Sequence, residues 1–166
     1  MAVFSKLAYL NAVKRKIKAG KPVSVGVFCT GNSDRSPLAK AALKRRFREL
    51  GYDNVKVFSF GVTAESADPQ ASSPRTQKHA KAMGYDLSSH RSTSVRQASS
   101  DIANADLLLG MSPSHSGIIS ETRADSEKGK AILRKSWSLA GFARKKEWTM
   151  RFRGRLARGL ALQDPY

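Results

Sequence analysis

The segment Val23-Ser24-Val25-Gly26-Val27-Phe28 restricts this chain more than any other. It is rich in β-branched residues and bounded by turn signals, with Gly20 and Pro22 before it and Cys29-Thr30-Gly31-Asn32-Ser33-Asp34-Arg35 after it. A short apolar run of this kind is a buried strand, as in a parallel sheet. Ser36-Pro37 then reads as a helix N-cap with proline at the first helical position. The helix continues through Leu38, Ala39, Ala42, Leu43, Phe47 and Leu50 and stops at Gly51. The unit is strand, tight loop, helix.

The rest of the chain alternates in the same way. Phe4, Leu7, Ala8, Leu10, Val13 and Ile17 have helical spacing, with Lys14, Arg15, Lys16 and Lys18 near the end, where cations complement the helix dipole. Gly20 stops that helix and Pro22 prevents its restart. A second strand is expected over Val55 to Phe60 and a helix over Pro74 to Met83, ending at Gly84. Leu107 to Leu109 is a third strand, a short helix follows from Pro113, and Ile132 to Trp137 is expected as a fourth strand. The stretch from Ala140 to Leu162 is basic and partly helical. Alternating strands and helices imply an α/β fold with a parallel sheet and helices on both faces. Ligands in such sheets bind beyond the carboxyl ends of the strands, where the Cys29 loop lies.

A length of 166 residues suits one domain, and 40% hydrophobic with 26% charged residues excludes wholesale disorder. We divide the chain into an N-terminal helical extension, residues 1–22, and an α/β domain, residues 23–166. No run of about 18 apolar residues exists, so no membrane span is expected. The first residues run from apolar to basic, the reverse of a signal peptide, which points to a cytoplasmic protein. The single cysteine forms no internal disulfide and no thiolate metal cluster; it is either inert packing or a nucleophile. Thirty Lys and Arg against thirteen Asp and Glu give a net charge of +17, which favours anionic partners. The excess gathers between Lys128 and Arg158, where only Glu147 opposes it. That stretch is a solvated face, a device that steers anionic substrates, or a surface for nucleic acid or another polyanion.

A strand feeding a tight loop that feeds a helix N-terminus points backbone N–H groups and the positive end of a dipole into one concavity. Thr30, Gly31, Asn32, Ser33, Asp34, Arg35 and Ser36 are therefore the candidate phosphate cradle, which inorganic phosphate or sulfate would also fill. Gly31 allows the sharp turn. A thiolate at Cys29 would be stabilised by the same donors, and thiolate is the reactive form. Arg35 offers a planar fork to two phosphate oxygens.

Cys29, Gly31, Asn32, Arg35, Ser36 and Pro37 resemble the Cys-x-Gly-Asn-x-x-Arg-Ser active-site loop of the low-molecular-weight protein tyrosine phosphatase family. Ser59-Phe60-Gly61 is similar to the family's Ser-x-Gly, and Leu87-Ser88-Ser89-His90-Arg91 to its Leu-Ser-x-His-Arg. Ala105-Asp106 with Met111, and Asp164-Pro165-Tyr166, resemble two later family motifs. The resemblance spans Val23 to Tyr166. It implies a flavodoxin-like, four-stranded sheet and a phosphocysteine mechanism without metal or cofactor. By that likeness Cys29 attacks phosphorus, Arg35 and the loop N–H groups hold the equatorial oxygens, and Asp164 is the general acid and then the base. Ser36 would hydrogen-bond the Cys29 sulfur, and Asn32, Ser59 and His90 would form a buried network beneath the loop. His79 and His115 read as solvent-facing helix residues. Asp68, followed by Pro69, is a rival acid, although the family carries a similar pair in a variable loop.

The sequence departs from the family pattern in four places. Asp34 stands where a second cysteine often protects the nucleophile, so oxidation of Cys29 would run to irreversible products. An inward-pointing Asp34 would also oppose phosphate. The family usually continues past Asp-Pro-Tyr into a final helix, and Phe4 to Ile17 is expected to take its place. The segment from Met111 to Asp164 is longer than usual and basic. Ser33 occupies a loop position that helps set substrate choice: members acting on phosphotyrosine often have a bulky aliphatic residue there, and those acting on phosphoarginine have threonine. Cys29-Thr30-Gly31-Asn32 and Met111-Ser112 with His115 lean the same way, toward the bacterial arginine-phosphatase branch. The expected function is hydrolysis of phosphotyrosine, or of phosphoarginine, in phosphorylated proteins. The alternative is a catalytically weak module that holds nucleic acid or another polyanion on residues 128–158. Arsenate reductases of this fold relay electrons through further cysteines, which this chain lacks.

Overall fold

Residues 6–115 and 127–139 are described by the structure, a computed structural model. The elements in chain order are α1 (Lys6–Lys18), β1 (Val23–Cys29), α2 (Arg35–Glu49), β2 (Val55–Gly61), α3 (Pro74–Ala82), α4 (Ser99–Asn104), β3 (Leu107–Gly110), α5 (Glu127–Arg134) and β4 (Ser136–Ser138). The four strands form one parallel sheet in the order β2-β1-β3-β4, with Val25 opposite both Val57 and Leu107. This is the α/β, flavodoxin-like sheet with helices that the alternation and the resemblance implied.

Both faces of β1 are covered, which is why its sequence shows little alternation. On one face Val23, Val25 and Val27 join Leu10, Val13 and Ile17 of α1 and Leu43 and Phe47 of α2 in one apolar cluster. On the other, Phe28, Phe58, Phe60 and Leu108 pack with Ile102 of α4 and Ile132 of α5. The rings of Phe28 and Phe60 stack with centroids 5.1 Å apart. Gly26 makes this second face possible, because a Cβ there would lie 2.6 Å from Leu108 and Phe58 side-chain atoms.

α1 is fastened to the sheet by polar contacts as well. Lys16 Nζ lies 2.5 Å from Asp106 Oδ1, Tyr9 Oη donates to the Asp106 carbonyl at 2.8 Å, and Asp106 Oδ2 accepts from Ser24 N–H at 2.9 Å. The helix ends at Gly20, with φ +69°.

The structure corrects three local expectations. α2 begins at Arg35 with Asp34 in the N-cap position, so Ser36 is inside the helix and does not cap it. Ile132 lies in α5 and the fourth strand is only Ser136–Ser138, because a short apolar run fits either period and the edge of the sheet needs few residues. α4 was not anticipated: six residues are too few to display a helical period. The helix expected from Pro113 is present at 113–115. The helical reading of Ala140 to Leu162 lies outside the described residues. No helix among the described residues is long and apolar enough to cross a membrane.

Candidate active site

β1 lies between β2 and β3: the chain goes from β1 to β2 through α2 on one face and from β2 back across to β3 with α4 on the other, which opens a crevice at the carboxyl end of β1. Cys29 is the last residue of β1 and is 3% exposed. Extensions of the flanking strands grip the chain as it leaves the sheet. Val62 N–H donates to the Cys29 carbonyl at 2.9 Å, Thr63 N–H to the Thr30 carbonyl at 3.0 Å, and Met111 N–H to the Phe28 carbonyl at 2.9 Å.

The turn itself falls at Asn32 and not at Gly31. Asn32 has φ +54°, in the left-handed region, whereas Gly31 does not adopt it. Asparagine tolerates that conformation better than other side chains do, and three hydrogen bonds hold it here. Its fully buried side chain donates through Nδ2 to Ser36 Oγ at 2.9 Å and accepts Thr93 N–H on Oδ1 at 2.8 Å. Its carbonyl lies 2.6 Å from His90 Nε2, so that nitrogen must carry the proton and donate. Burial holds the His90 imidazole below its ordinary value, with Lys40 and Arg91 adding to the effect against the Asn32 bond and Asp34. The ring is therefore neutral near pH 7.

Ser36 Oγ lies 3.0 Å from Cys29 Sγ. The same oxygen accepts from Asn32, which leaves its hydrogen for the sulfur. α2 starts at this point without a side-chain cap, so no capping side chain competes with an anion for its first-turn donors. Arg35, at the first position of α2, donates from Nη2 to Thr30 Oγ1 at 3.3 Å. The far side of the loop is tied to the start of α3: Ser72 Oγ donates to the Ser33 carbonyl at 2.5 Å, and Asp34 Oδ1 accepts Ser73 N–H at 3.0 Å. Partial burial pushes the Asp34 carboxyl up. The Ser73 N–H, followed by the Thr76, Ser73 and Ser33 groups, outweighs it and holds the carboxyl below its usual range. Asp34 is thus hydrogen-bonded to the start of α3. Beside the loop a cavity of about 480 Å3 is lined by Gly31, Ser33, Asp34, Glu65, Asp68 and Ser92, among others.

Two sequence readings of this region need correction. Ser59 does not join the network of Asn32 and His90: its hydroxyl is buried with no hydrogen-bond partner among the described residues. The register explains this, since Ser59 pairs with Val27, two residues back from the Cys29–Gly61 pair at the level of the loop. His115 is not solvent-facing. It is 4% exposed, and its Nε2 lies 3.0 Å from Thr30 Oγ1. The sequence signals were its place four residues after Met111, just beyond β3, and the Met111-Ser112 with His115 pattern noted above. Ser72 and Thr93 carried no signal. His79 is exposed on α3, and Asp68 is exposed with Oδ2 2.5 Å from Gln70 Nε2. Lys135, counted from sequence among the surface cations, is 7% exposed and donates to the Ala103 carbonyl at 2.7 Å. Asp164 and residues 140–158 lie outside the described residues. Among the described residues no group of His, Cys, Asp and Glu is arranged to hold a metal ion.

A family model for low molecular weight phosphotyrosine protein phosphatase matches residues 24–149. The fold is similar to the YwlE arginine phosphatase from Geobacillus stearothermophilus, with 27% identity over 74% of this chain and 70% of that one and a TM-score of 0.60. It is similar to a low molecular weight protein tyrosine phosphatase from T. tengcongensis, with 28% identity over 74% and 76% and a TM-score of 0.61. A YwlE arginine phosphatase mutant with its cysteine changed to serine, and that active-site serine phosphorylated, aligns at 26% identity over 74% and 72% with a TM-score of 0.62. A search of curated proteins returned no match. With the family model spanning most of its length and the loop at the carboxyl end of β1, the chain belongs to the low molecular weight phosphotyrosine protein phosphatase family.

Proposed function

We propose that this phosphatase hydrolyses phosphorylated side chains of proteins through a phosphocysteine intermediate formed on Cys29. The observation that carries this reading is the Cys29 Sγ to Ser36 Oγ contact of 3.0 Å at the foot of a loop held in shape by Asn32. A hydroxyl hydrogen directed at sulfur stabilises negative charge there. The thiolate attacks phosphorus, the S–P bond forms, and the bond from phosphorus to the leaving atom breaks. Arg35 and the α2 N-terminus hold the equatorial oxygens as their charge redistributes. Asp164, assigned from sequence, supplies the proton to the leaving atom. Water then attacks phosphorus, Asp164 takes its proton, and the S–P bond breaks to release inorganic phosphate and regenerate the thiolate. The side chains of His90 and Asn32 hold the loop in shape.

Phosphotyrosine is the first substrate by family. Phosphoarginine is the second reading, favoured by the small Ser33 at the cavity and by Asp34, Glu65 and Asp68 around it, which suit a cationic guanidinium. A lone nucleophilic thiol fits a reducing compartment, in keeping with a cytoplasmic location. Nothing in the described residues favours nucleic acid as a partner.

The test is hydrolysis of an aryl phosphate at mildly acidic pH with a chelator present, comparing the native chain with Cys29→Ser. Turnover by the native chain and none by the variant is expected. Equal turnover by a folded Cys29→Ser protein would overturn the proposal.

A further inference from the structure

We propose that His115 is a positioning residue that holds Thr30 and Arg35 on the phosphoryl group, as a neutral imidazole protonated on Nε2; this rests on the phosphatase reading above. Both ring nitrogens are engaged. Nδ1 receives Ser112 N–H at 3.0 Å, and a backbone N–H can only donate, so Nδ1 carries no proton. Ser112 Oγ lies 2.8 Å from the same nitrogen and 2.7 Å from Ser114 Oγ. The proton of the neutral ring is therefore on Nε2, which donates to Thr30 Oγ1 at 3.0 Å.

Thr30 Oγ1 then accepts twice, from His115 Nε2 and from Arg35 Nη2. A hydroxyl has two acceptor positions and one hydrogen. With both acceptor positions filled, the hydrogen of Thr30 has to go to a third group. Thr30 is exposed at the first position of the loop, beside the nucleophile, and the acceptor that arrives there is a phosphoryl oxygen. His115 thus does two things through one oxygen. It orients the Thr30 hydrogen toward the substrate, and it gives the Arg35 guanidinium a fixed anchor before substrate binds, which lowers the cost of ordering a long side chain. The anchor is itself rigid, because His115 is buried and Met111 N–H bonds the Phe28 carbonyl, joining the chain just after β3 to β1. A second proton on the ring would place N–H against N–H at Ser112 and break the arrangement.

The experiment uses the full chain, an aryl phosphate as substrate and inorganic phosphate as inhibitor. His115→Phe keeps a ring of similar volume without a donor, and His115→Gln restores an amide donor of similar reach. His115→Phe is expected to lower kcat/KM about tenfold and to weaken inhibition by phosphate about as much, as misplaced binding groups do. His115→Gln should recover most of both. Adding His115→Phe to Thr30→Val should cost nothing further, since His115 acts through Thr30. Multiplicative losses in the double variant, or equal damage from Gln and Phe, would overturn the proposal. Nitrogen NMR of the histidine ring in the native protein needs no variant: a proton on Nε2 supports the assignment, and a proton on Nδ1 refutes it. The Cys29→Ser comparison stands apart, so a failure here leaves the phosphocysteine reading intact and the reverse outcome is equally visible.

Discussion

Gly61 separates a steric demand from a motif. It ends β2 opposite Cys29, and a Cβ placed on it would stand 2.7 Å from the Gly31 carbonyl carbon, 2.7 Å from the Thr30 oxygen and 2.8 Å from Ala64 Cβ. Ordinary contact begins at 3.4 Å, so the loop and β2 must part by about 0.7 Å. Two of the three obstacles are backbone atoms of the phosphate loop and cannot rotate away. β2 cannot yield easily either, because Gly61 N–H is bonded to the Thr93 carbonyl at 2.8 Å. Overpacking of this kind costs about 1–3 kcal/mol. The larger effect falls on chemistry, since displacing phosphate-holding groups by about 1 Å costs on the order of a hundredfold. Gly61→Ala should therefore fold, melt a few degrees lower, and lose roughly 10- to 100-fold in kcat/KM for an aryl phosphate, with weaker inhibition by phosphate. Gly31→Ala is the contrast for stability, because its Cβ would meet only Ser33 Oγ, at 3.7 Å, and its melting temperature should stay near native. A Gly61→Ala enzyme with native kcat/KM and native phosphate inhibition would refute the steric argument.

Leu10 is 1% exposed, so Leu10→Ala should lower stability by about 2–5 kcal/mol in a urea titration. Removing residues 1–20 deletes the whole apolar face of α1 and should unfold the sheet domain as read by circular dichroism; a folded, active truncation would dismiss the role given to α1. Two groups set pH limits on stability. His90 titrates lower in the fold than its ordinary 6.5, so its contribution is complete above that value and is lost as pH falls through the folded value. His90→Gln should flatten the acid decline that begins near pH 6.5, measured as melting temperature against pH. Asp34 is also held low, so its contribution is complete above about pH 3.9 and disappears at lower pH. Asp34→Asn should lower the melting temperature at pH 7 and lose that difference in strong acid.

The order of strand, loop and helix was legible because its signals are local. The run from Val23 to Phe28, and the helix stops at Gly20, Gly51 and Gly84 with φ of +69°, +75° and +77°, depend on each residue and its near neighbours. Alternation then implied the parallel sheet, and the spacing from Cys29 to Pro37 pointed to the chemistry at its carboxyl end. Tertiary structure decided which polar residues serve the loop. A histidine or serine suits a solvent face and a buried hydrogen bond equally well, so its sequence does not tell which it makes. Strand register put His115 against Thr30, 85 residues away, and left Ser59 level with Val27, short of the loop. The left-handed turn went to Asn32, and not to the glycine beside it, because Ser36, His90 and Thr93 converge on that one residue. Two of those partners lie 58 and 61 positions away, and only the folded chain brings them together.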